Sequence, residues 1–190
     1  GVVCHGSHNN LSPLLNNLDH VMEYNYTVGN KVILCHFLLP EERGSKDKYL
    51  FAAESFNKIA ATLKHNGFDF AYHNHDFEFR EVFDGKCGMD LIVENTDPHL
   101  VGLELHIGQL AQFDLDPVAY IKKLGRRVQL LHVHAFSGKD NAPFDSIPAL
   151  KAARELDVPW AILENVYPIP IDFARVKQDV ASIRDAAKGL

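Results

Sequence analysis

The chain has 190 residues, of which 46% are apolar and 23% are charged, as is ordinary for a globular protein with a sizeable core. A formal net charge of -6 argues against nucleic acid or an anionic membrane as the main partner, because both call for basic surfaces. Cys4, Cys35 and Cys87 are three cysteines without CxxC spacing, so neither a disulfide framework nor a zinc knuckle is indicated, and we expect a reducing, cytoplasmic setting. No apolar run approaches the roughly 18 residues of a membrane span.

The chain alternates predicted strands with predicted helices six times, strand first. Short apolar runs indicate the strands, and amphipathic runs of helical spacing indicate the helices. The predicted strands are 2–8, 31–39, 70–80, 100–106, 128–134 and 160–164. The predicted helices are 14–24, 47–65, 88–95, 118–124, 145–156 and 172–187. This order is typical of a parallel sheet covered by helices.

The third predicted strand is the most informative stretch of the sequence. It begins as an apolar run and ends, at 73–78, in two histidines, an asparagine, an aspartate and a glutamate. In parallel α/β proteins, ligands bind at the carboxyl ends of the strands, so we interpret this tail as part of a site. The alternative is a strand whose polar end is merely solvated.

Two parallel α/β architectures accommodate six strand–helix units. A doubly wound nucleotide-binding sheet is disfavoured, because neither GxGxxG nor GxxxxGK[ST] occurs. Polar residues close almost every predicted strand instead, as in barrels that pool residues from several strands. We therefore predict one α/β domain over 1–190, a (β/α)8 TIM-barrel-like fold with six strands in this chain.

Histidine is used unusually. Eight of the eleven histidines lie in or just after predicted strands: His5, His8, His36, His73, His75, His106, His132 and His134. Histidine is not a favoured strand residue, so this placement predicts a shared polar site in which imidazole is a metal ligand or an acid/base group.

The ends of four predicted strands carry the candidate ligands. The candidates are His73, His75, Asp76 and Glu78; Glu104 and His106; His132 and His134; and Glu164. Imidazole and carboxylate together suit divalent Mn, Fe, Co, Ni or Zn better than Ca or Mg. Three alternatives stay open: Glu104 is equally well a buried structural carboxylate, only one residue of the His132–His134 pair is a ligand, and His5, His8 and His36 are equally well solvated loop residues.

Four segments carry a family resemblance over nearly the whole chain: 72–79 (YHNHDFEF), 101–105 (VGLEL), 116–121 (DPVAYI) and 125–133 (GRRVQLLHV). Together they resemble the sugar phosphate isomerase/epimerase family of xylose-isomerase-like barrels. The resemblance implies a metal held at the ends of the last four barrel strands, usually by Glu, Asp, His and Glu. The corresponding residues here are Glu78 (with His73 or His75 as alternatives), His106, His132 and Glu164.

The sequence departs from that family in three respects. His106 stands where an aspartate is usual, and 132–135 read His-Val-His-Ala where His-x-Lys-Asp is usual. The six strands match the third to eighth of the family, so we expect a chain incomplete at its N-terminal side. An open barrel exposes unpaired strand edges, which predicts a homodimer or larger assembly.

The leading functional hypothesis is a metal-dependent isomerase or epimerase of a sugar or keto-sugar, or a related lyase, that works through an enediolate. Glu164 and Glu78 are the predicted proton-transfer residues, assisted by His75 or His134. The predicted substrate contacts are His73, His134, His36 and His8. One alternative is a phosphodiester hydrolase with several metals, which the acidic charge disfavours. The other alternative is a non-catalytic sugar-binding or regulatory module.

Overall fold

The computed structural model describes residues 3–133, 145–164 and 172–188. The strands are β1 Ser7–Asn10, β2 Val32–Phe37, β3 Asp69–His73, β4 Val82–Phe83, β5 Lys86–Cys87, β6 Val101–His106, β7 Val128–Val133 and β8 Trp160–Leu163. The α-helices are α1 Leu11–Asn16, α2 Leu18–Val28, α3 Lys46–His65, α4 Phe77–Arg80, α5 Gly88–Glu94, α6 Ile107–Gln112, α7 Pro117–Leu124, α8 Ile147–Glu155 and α9 Phe173–Ala187.

The main sheet has the order β1-β2-β3-β6-β7-β8, so its strands follow one another in chain order. The pairs β1–β2, β2–β3, β3–β6 and β7–β8 are parallel. The short strands β4 and β5 form a separate antiparallel pair. Parallel neighbours joined by helices confirm the predicted α/β architecture. The chain divides within β6 into two compact units, 1–104 and 105–190, and the single domain stays a prediction.

The core of the N-terminal unit is built from α3 and the sheet. Ser45 begins α3 by accepting a hydrogen bond from the Lys48 backbone N–H at 3.4 Å. The Phe56 ring of α3 lies 5.4 Å from that of Phe70 and 5.0 Å from that of Tyr72, both on β3. Because side chains alternate along a strand, the helix-facing positions 70 and 72 leave the intervening and following residues on the opposite face.

The C-terminal unit contains the strands β7 and β8 and the helices α6 to α9. Asp116 caps α7, accepting a hydrogen bond from the Val118 N–H at 2.9 Å, and Pro117 occupies the first helical position. In the β7–β8 pair, His132 is the Cα partner of Ile162. The buried face of α8 consists of Ala149, Leu150, Ala152 and Ala153.

The structure corrects two predicted elements near the start of the chain. The first strand is Ser7–Asn10 rather than 2–8, and the predicted helix 14–24 is two helices, α1 and α2, separated at Asn17, whose φ of -150° is not helical. The helix α6 was not predicted. For the residues beyond 133 in the predicted strand 128–134, the structure gives no description, so His134 lies outside the described residues.

The correction with the largest consequence concerns the predicted strand 70–80. The strand β3 ends at His73, and Phe77–Arg80 is the short helix α4. The Glu78 carboxylate accepts a hydrogen bond from the His75 backbone N–H at 2.8 Å, which ties the helix back onto the end of the strand. This local side-chain contact competes with strand continuation, and alternation of polar and apolar residues does not reveal it.

Candidate metal centre

Among the residues that the structure describes, two groups of side chains have their potential ligand atoms within 4.8 Å of one another. One group consists of His8, His73 and Glu104, in the N-terminal unit, and the other of His106, His132 and Glu164, in the C-terminal unit. Each group therefore supplies two imidazoles and one carboxylate. This donor set suits borderline transition metals, and three protein ligands leave coordination positions for water or substrate.

The C-terminal group is positioned by strand ends. His132 lies next to the last residue of β7, and Glu164 directly follows β8. The Glu164 backbone N–H donates to the Val133 carbonyl at 3.0 Å, which continues the ladder by one bond beyond β8. His106 is the last residue of β6. The carboxyl ends of separate strands thus supply all three side chains, as expected for a barrel site.

The spacing within this group fits a bound cation better than direct hydrogen bonds. The Glu164 Oε2 atom lies 3.4 Å from His132 Nδ1 and 3.7 Å from His106 Nε2. Ligands bound at about 2.1 Å in tetrahedral geometry are about 3.4 Å apart. The side chains of His106 and His132 are 4% and 7% exposed, whereas that of Glu164 is 43% exposed. The buried imidazoles hold the inner side of the group, and the glutamate faces the solvent.

His106 has a second contact that bears on metal binding. Its Nδ1 atom accepts a hydrogen bond from the Gln109 backbone N–H at 3.3 Å and so caps α6. In a neutral ring with this contact, the proton resides on Nε2, the atom that faces Glu164. Metal ligation through Nε2 therefore requires the other tautomer, in which the proton lies on Nδ1 and the hydrogen bond from the Gln109 N–H is lost.

The N-terminal group is more tightly bonded. Glu104 Oε2 lies 2.7 Å from His8 Nε2 and 3.0 Å from His73 Nδ1. His73 and Glu104 are Cα partners in the β3–β6 register, so their side chains are adjacent on the same face of the sheet. The side chains of Glu104 and His73 are 1% and 3% exposed, whereas that of His8 is 39% exposed. The sequence left open whether Glu104 is a metal ligand or a structural carboxylate. In the structure, its carboxylate contacts both His8 and His73.

Two further histidines surround this group. The His36 ring stacks on that of His8 with centroids 5.1 Å apart, and its Nδ1 donates to the Asn9 carbonyl at 3.1 Å. Partial burial lowers the pKa of His36, so its imidazole is neutral over a wider pH range. The His75 ring meets that of His73 edge-on at 4.9 Å. The structure therefore brings together the predicted substrate contacts His8, His36 and His73 and the predicted catalytic residue His75.

Glu78 occupies a different environment. It is completely buried, it belongs to neither candidate group, and its carboxylate accepts hydrogen bonds from the Tyr72 hydroxyl and the His75 backbone N–H. Burial raises the pKa of Tyr72, so this phenol keeps the proton that it donates. These contacts give Glu78 a structural role, and metal ligation and proton transfer by Glu78 stay predictions.

Glu78 is expected to make folding stability depend on pH. Burial raises its pKa from the ordinary 4.5 to about 7. Protonated Glu78 therefore favours the folded state below pH 4.5, and this stabilisation, about 3 kcal/mol, is lost as the pH rises through about 7. Denaturant unfolding of wild type and Glu78→Gln between pH 4 and 8 measures the effect. As the pH rises over this range, the unfolding free energy of wild type should fall by about this amount relative to that of Glu78→Gln.

The matched control for this prediction is Glu23→Gln, since the Glu23 side chain is 81% exposed. Its unfolding free energy should follow that of wild type across the whole pH range. If the unfolding free energy of Glu78→Gln depends on pH as that of wild type does, the Glu78 carboxyl group does not have the raised pKa expected from its burial.

The parallel sheet and its helices match solved TIM-barrel-like structures over most of this chain, which confirms the predicted fold class. Among solved structures, a sugar phosphate isomerase/epimerase from Parabacteroides distasonis is similar at a TM-score of 0.81 and 20% identity, covering 96% of this chain and 72% of that one. A xylose isomerase domain protein from Alicyclobacillus acidocaldarius is similar at a TM-score of 0.74 and 12% identity, covering 98% and 77%.

A third structure has a more specific name. The 3-keto-D-glucoside 4-epimerase YcjR from E. coli is similar at a TM-score of 0.69 and 12% identity, covering 97% of this chain and 80% of that one. No protein-family model matches the sequence, and no curated protein matches it either. Likeness at these identities establishes the fold, whereas the reaction depends on the site.

Proposed function

We propose that this protein is a metal-dependent isomerase or epimerase of a sugar or keto-sugar, with His106, His132 and Glu164 as metal ligands. The observation that carries the proposal is the convergence of these three side chains at strand ends with spacing that suits a cation. The solved structures that share the fold add support, because their names include sugar isomerases and epimerases.

The chemistry assigned to the bound cation is Lewis-acid polarisation of adjacent carbonyl and hydroxyl oxygens of the sugar. The protein residues have separate tasks. The buried imidazoles of His106 and His132 fix the position of the site and exclude water from its inner side. Glu164 directs Oε2 toward both imidazoles. Because its side chain is 43% exposed, we assign to its second carboxylate oxygen the transfer of the proton from the carbon next to the sugar carbonyl.

The remaining predicted site residues divide into two sets. His8, His36 and His73 stay proposed substrate contacts, and His75 stays a proposed assistant in proton transfer. Glu78 is the weakest of the proposed catalytic residues, since both of its hydrogen-bond partners belong to its own surroundings at 72–75. The predicted cytoplasmic location and homodimer remain predictions. Among the helices that the structure describes, none is long and apolar enough to cross a membrane.

Solvent isotope exchange tests the proposed reaction before the substrate is known. The protein, loaded in turn with Mn, Co, Ni or Zn, is incubated in D2O with a panel of ketoses and keto-glycosides. Proton transfer next to the carbonyl replaces hydrogen by deuterium at that carbon, which NMR detects even where product formation is unfavourable. We expect metal-dependent exchange with at least one sugar of the panel.

The alternatives give different results when a phosphodiester is added to the same panel. Sugar binding without exchange under any metal would overturn the proposed reaction in favour of a non-catalytic binding module. Metal-dependent cleavage of a phosphodiester, with no exchange on sugars, would instead identify a hydrolase. The second alternative is disfavoured by the net charge of -6, because a nucleic acid substrate calls for a basic groove.

A further inference from the structure

We propose that the N-terminal unit holds a second divalent transition-metal ion, bound by His8, His73 and Glu104. This group shares no residue with the one assigned to the proposed reaction, and the proposal does not depend on that reaction. Its donor set of two imidazoles and one carboxylate selects Zn, Co, Ni or Fe over Ca and Mg. The assignment makes a metal ligand of His8, which was expected to contact substrate, and places His73, an alternative ligand of the predicted metal, in a different group.

The first argument concerns charge. Glu104 is 1% exposed, and its Oε2 atom is approached by two imidazole nitrogens at 2.7 and 3.0 Å. Keeping an ionised carboxylate out of water costs free energy unless a positive charge accompanies it. A divalent ion between the carboxylate and the imidazoles supplies that charge and leaves both rings neutral, the form in which histidine binds metals.

The second argument concerns geometry. Ligands at about 2.1 Å in octahedral geometry lie about 3.0 Å apart. The His73–Glu104 separation of 3.0 Å meets this value, and these residues are held by the β3–β6 register. The His8–Glu104 separation of 2.7 Å requires opening by a few tenths of an ångström. Two ligands are thus in place, and only His8 has to move.

The third argument concerns access and support. The 39% exposure of the His8 side chain provides a route for an ion from solvent to a group that is otherwise buried. His36 stacks on His8 at an interplanar angle of 6°, and the hydrogen bond from its own Nδ1 to the Asn9 carbonyl holds it there. Support of this kind orients a ligand ring and contributes to affinity, since loss of outer-shell partners costs roughly 10–100-fold.

The two groups here have no residue in common. Each site can therefore be removed by substitution without touching a ligand of the other.

Titration with Co2+ alone tests the proposal. Isothermal calorimetry and the visible absorption of bound cobalt monitor the titration. Wild type should bind two ions per chain. Glu104→Gln, which keeps the size of the side chain and removes its charge, should bind one ion, with affinity at the substituted site reduced at least about 100-fold. His132→Gln should also bind one ion, and its visible absorption spectrum should be that of cobalt at the His8–His73–Glu104 site. The double variant Glu104→Gln/His132→Gln should bind no ion.

Two further variants control for folding and for unspecific binding. His8→Ala removes a partly exposed ligand at the edge of the sheet and should abolish the same ion as Glu104→Gln with an unchanged melting temperature. His20→Gln removes an imidazole whose side chain is 72% exposed and should leave both ions bound. If Glu104→Gln and His8→Ala bind as many ions as wild type, the second site does not exist. Loss of binding in His132→Gln alone would then leave the proposed function intact.

Discussion

Glu164→Gln is expected to give a folded protein that binds metal at least about 100-fold more weakly and has no detectable turnover. The substitution removes the only carboxylate of the His106–His132–Glu164 group and with it the negative charge that faces both imidazoles. Loss of an outer-shell partner alone costs roughly 10–100-fold in affinity, so loss of a charged ligand costs more. Calorimetry with Co2+ and deuterium exchange into the sugar measure the two effects.

The fold should tolerate this change because the Glu164 side chain is 43% exposed and the backbone N–H of residue 164 keeps its bond to Val133. Glu155→Gln is the matched control in the same unit, since its side chain is 67% exposed and belongs to neither group. Unchanged turnover in Glu164→Gln would remove this residue from the mechanism, and unchanged affinity would remove it from the metal site.

His106→Asp is expected to change which metal the C-terminal site prefers. The substitution replaces a neutral imidazole by a carboxylate at the position where the resembling family usually has aspartate. Oxygen ligands and added negative charge favour harder ions such as Mn over Zn or Ni. We expect the ratio of Mn to Zn affinity to rise at least about tenfold, which corresponds to only about 1.4 kcal/mol. Competitive titration of the two ions measures the ratio.

Local structure should survive the exchange of histidine for aspartate. His106 caps α6 through its bond from the Gln109 N–H, and aspartate is among the best capping residues. His106→Asn is the control, because asparagine has nearly the size of aspartate and caps equally well but carries no charge. An equal change of metal preference in both variants would show that loss of the ring, rather than the gain of charge, causes it.

The alternation of strands and helices was accessible from the sequence because it rests on local signals. Apolar runs predicted β2, β6, β7 and β8 to within about two residues at each end, and Asp116 before Pro117 marked the start of α7. Three members of the candidate metal centre, His106, His132 and Glu164, were chosen for the same local reason, since each ends an apolar strand.

The pairing of Glu104 with His8 and His73 was not accessible in this way. It depends on the register that makes His73 and Glu104 Cα partners, and these residues are far apart in the sequence. The spacing of Glu104 and His106 signalled only that the two residues share a face of the strand. The strand predicted to continue to residue 80 was wrong for a related reason, because the hydrogen bond between Glu78 and the His75 N–H turns the chain into α4.

The sequence alone determined the parallel α/β class and the strand ends at which chemistry takes place, because periodicity, capping and turn residues act between neighbours in the chain. Only the tertiary structure decided how the histidines and glutamates divide into groups. That division depends on strand register and on the burial of each carboxylate, and both arise from contacts between segments that the chain itself keeps far apart.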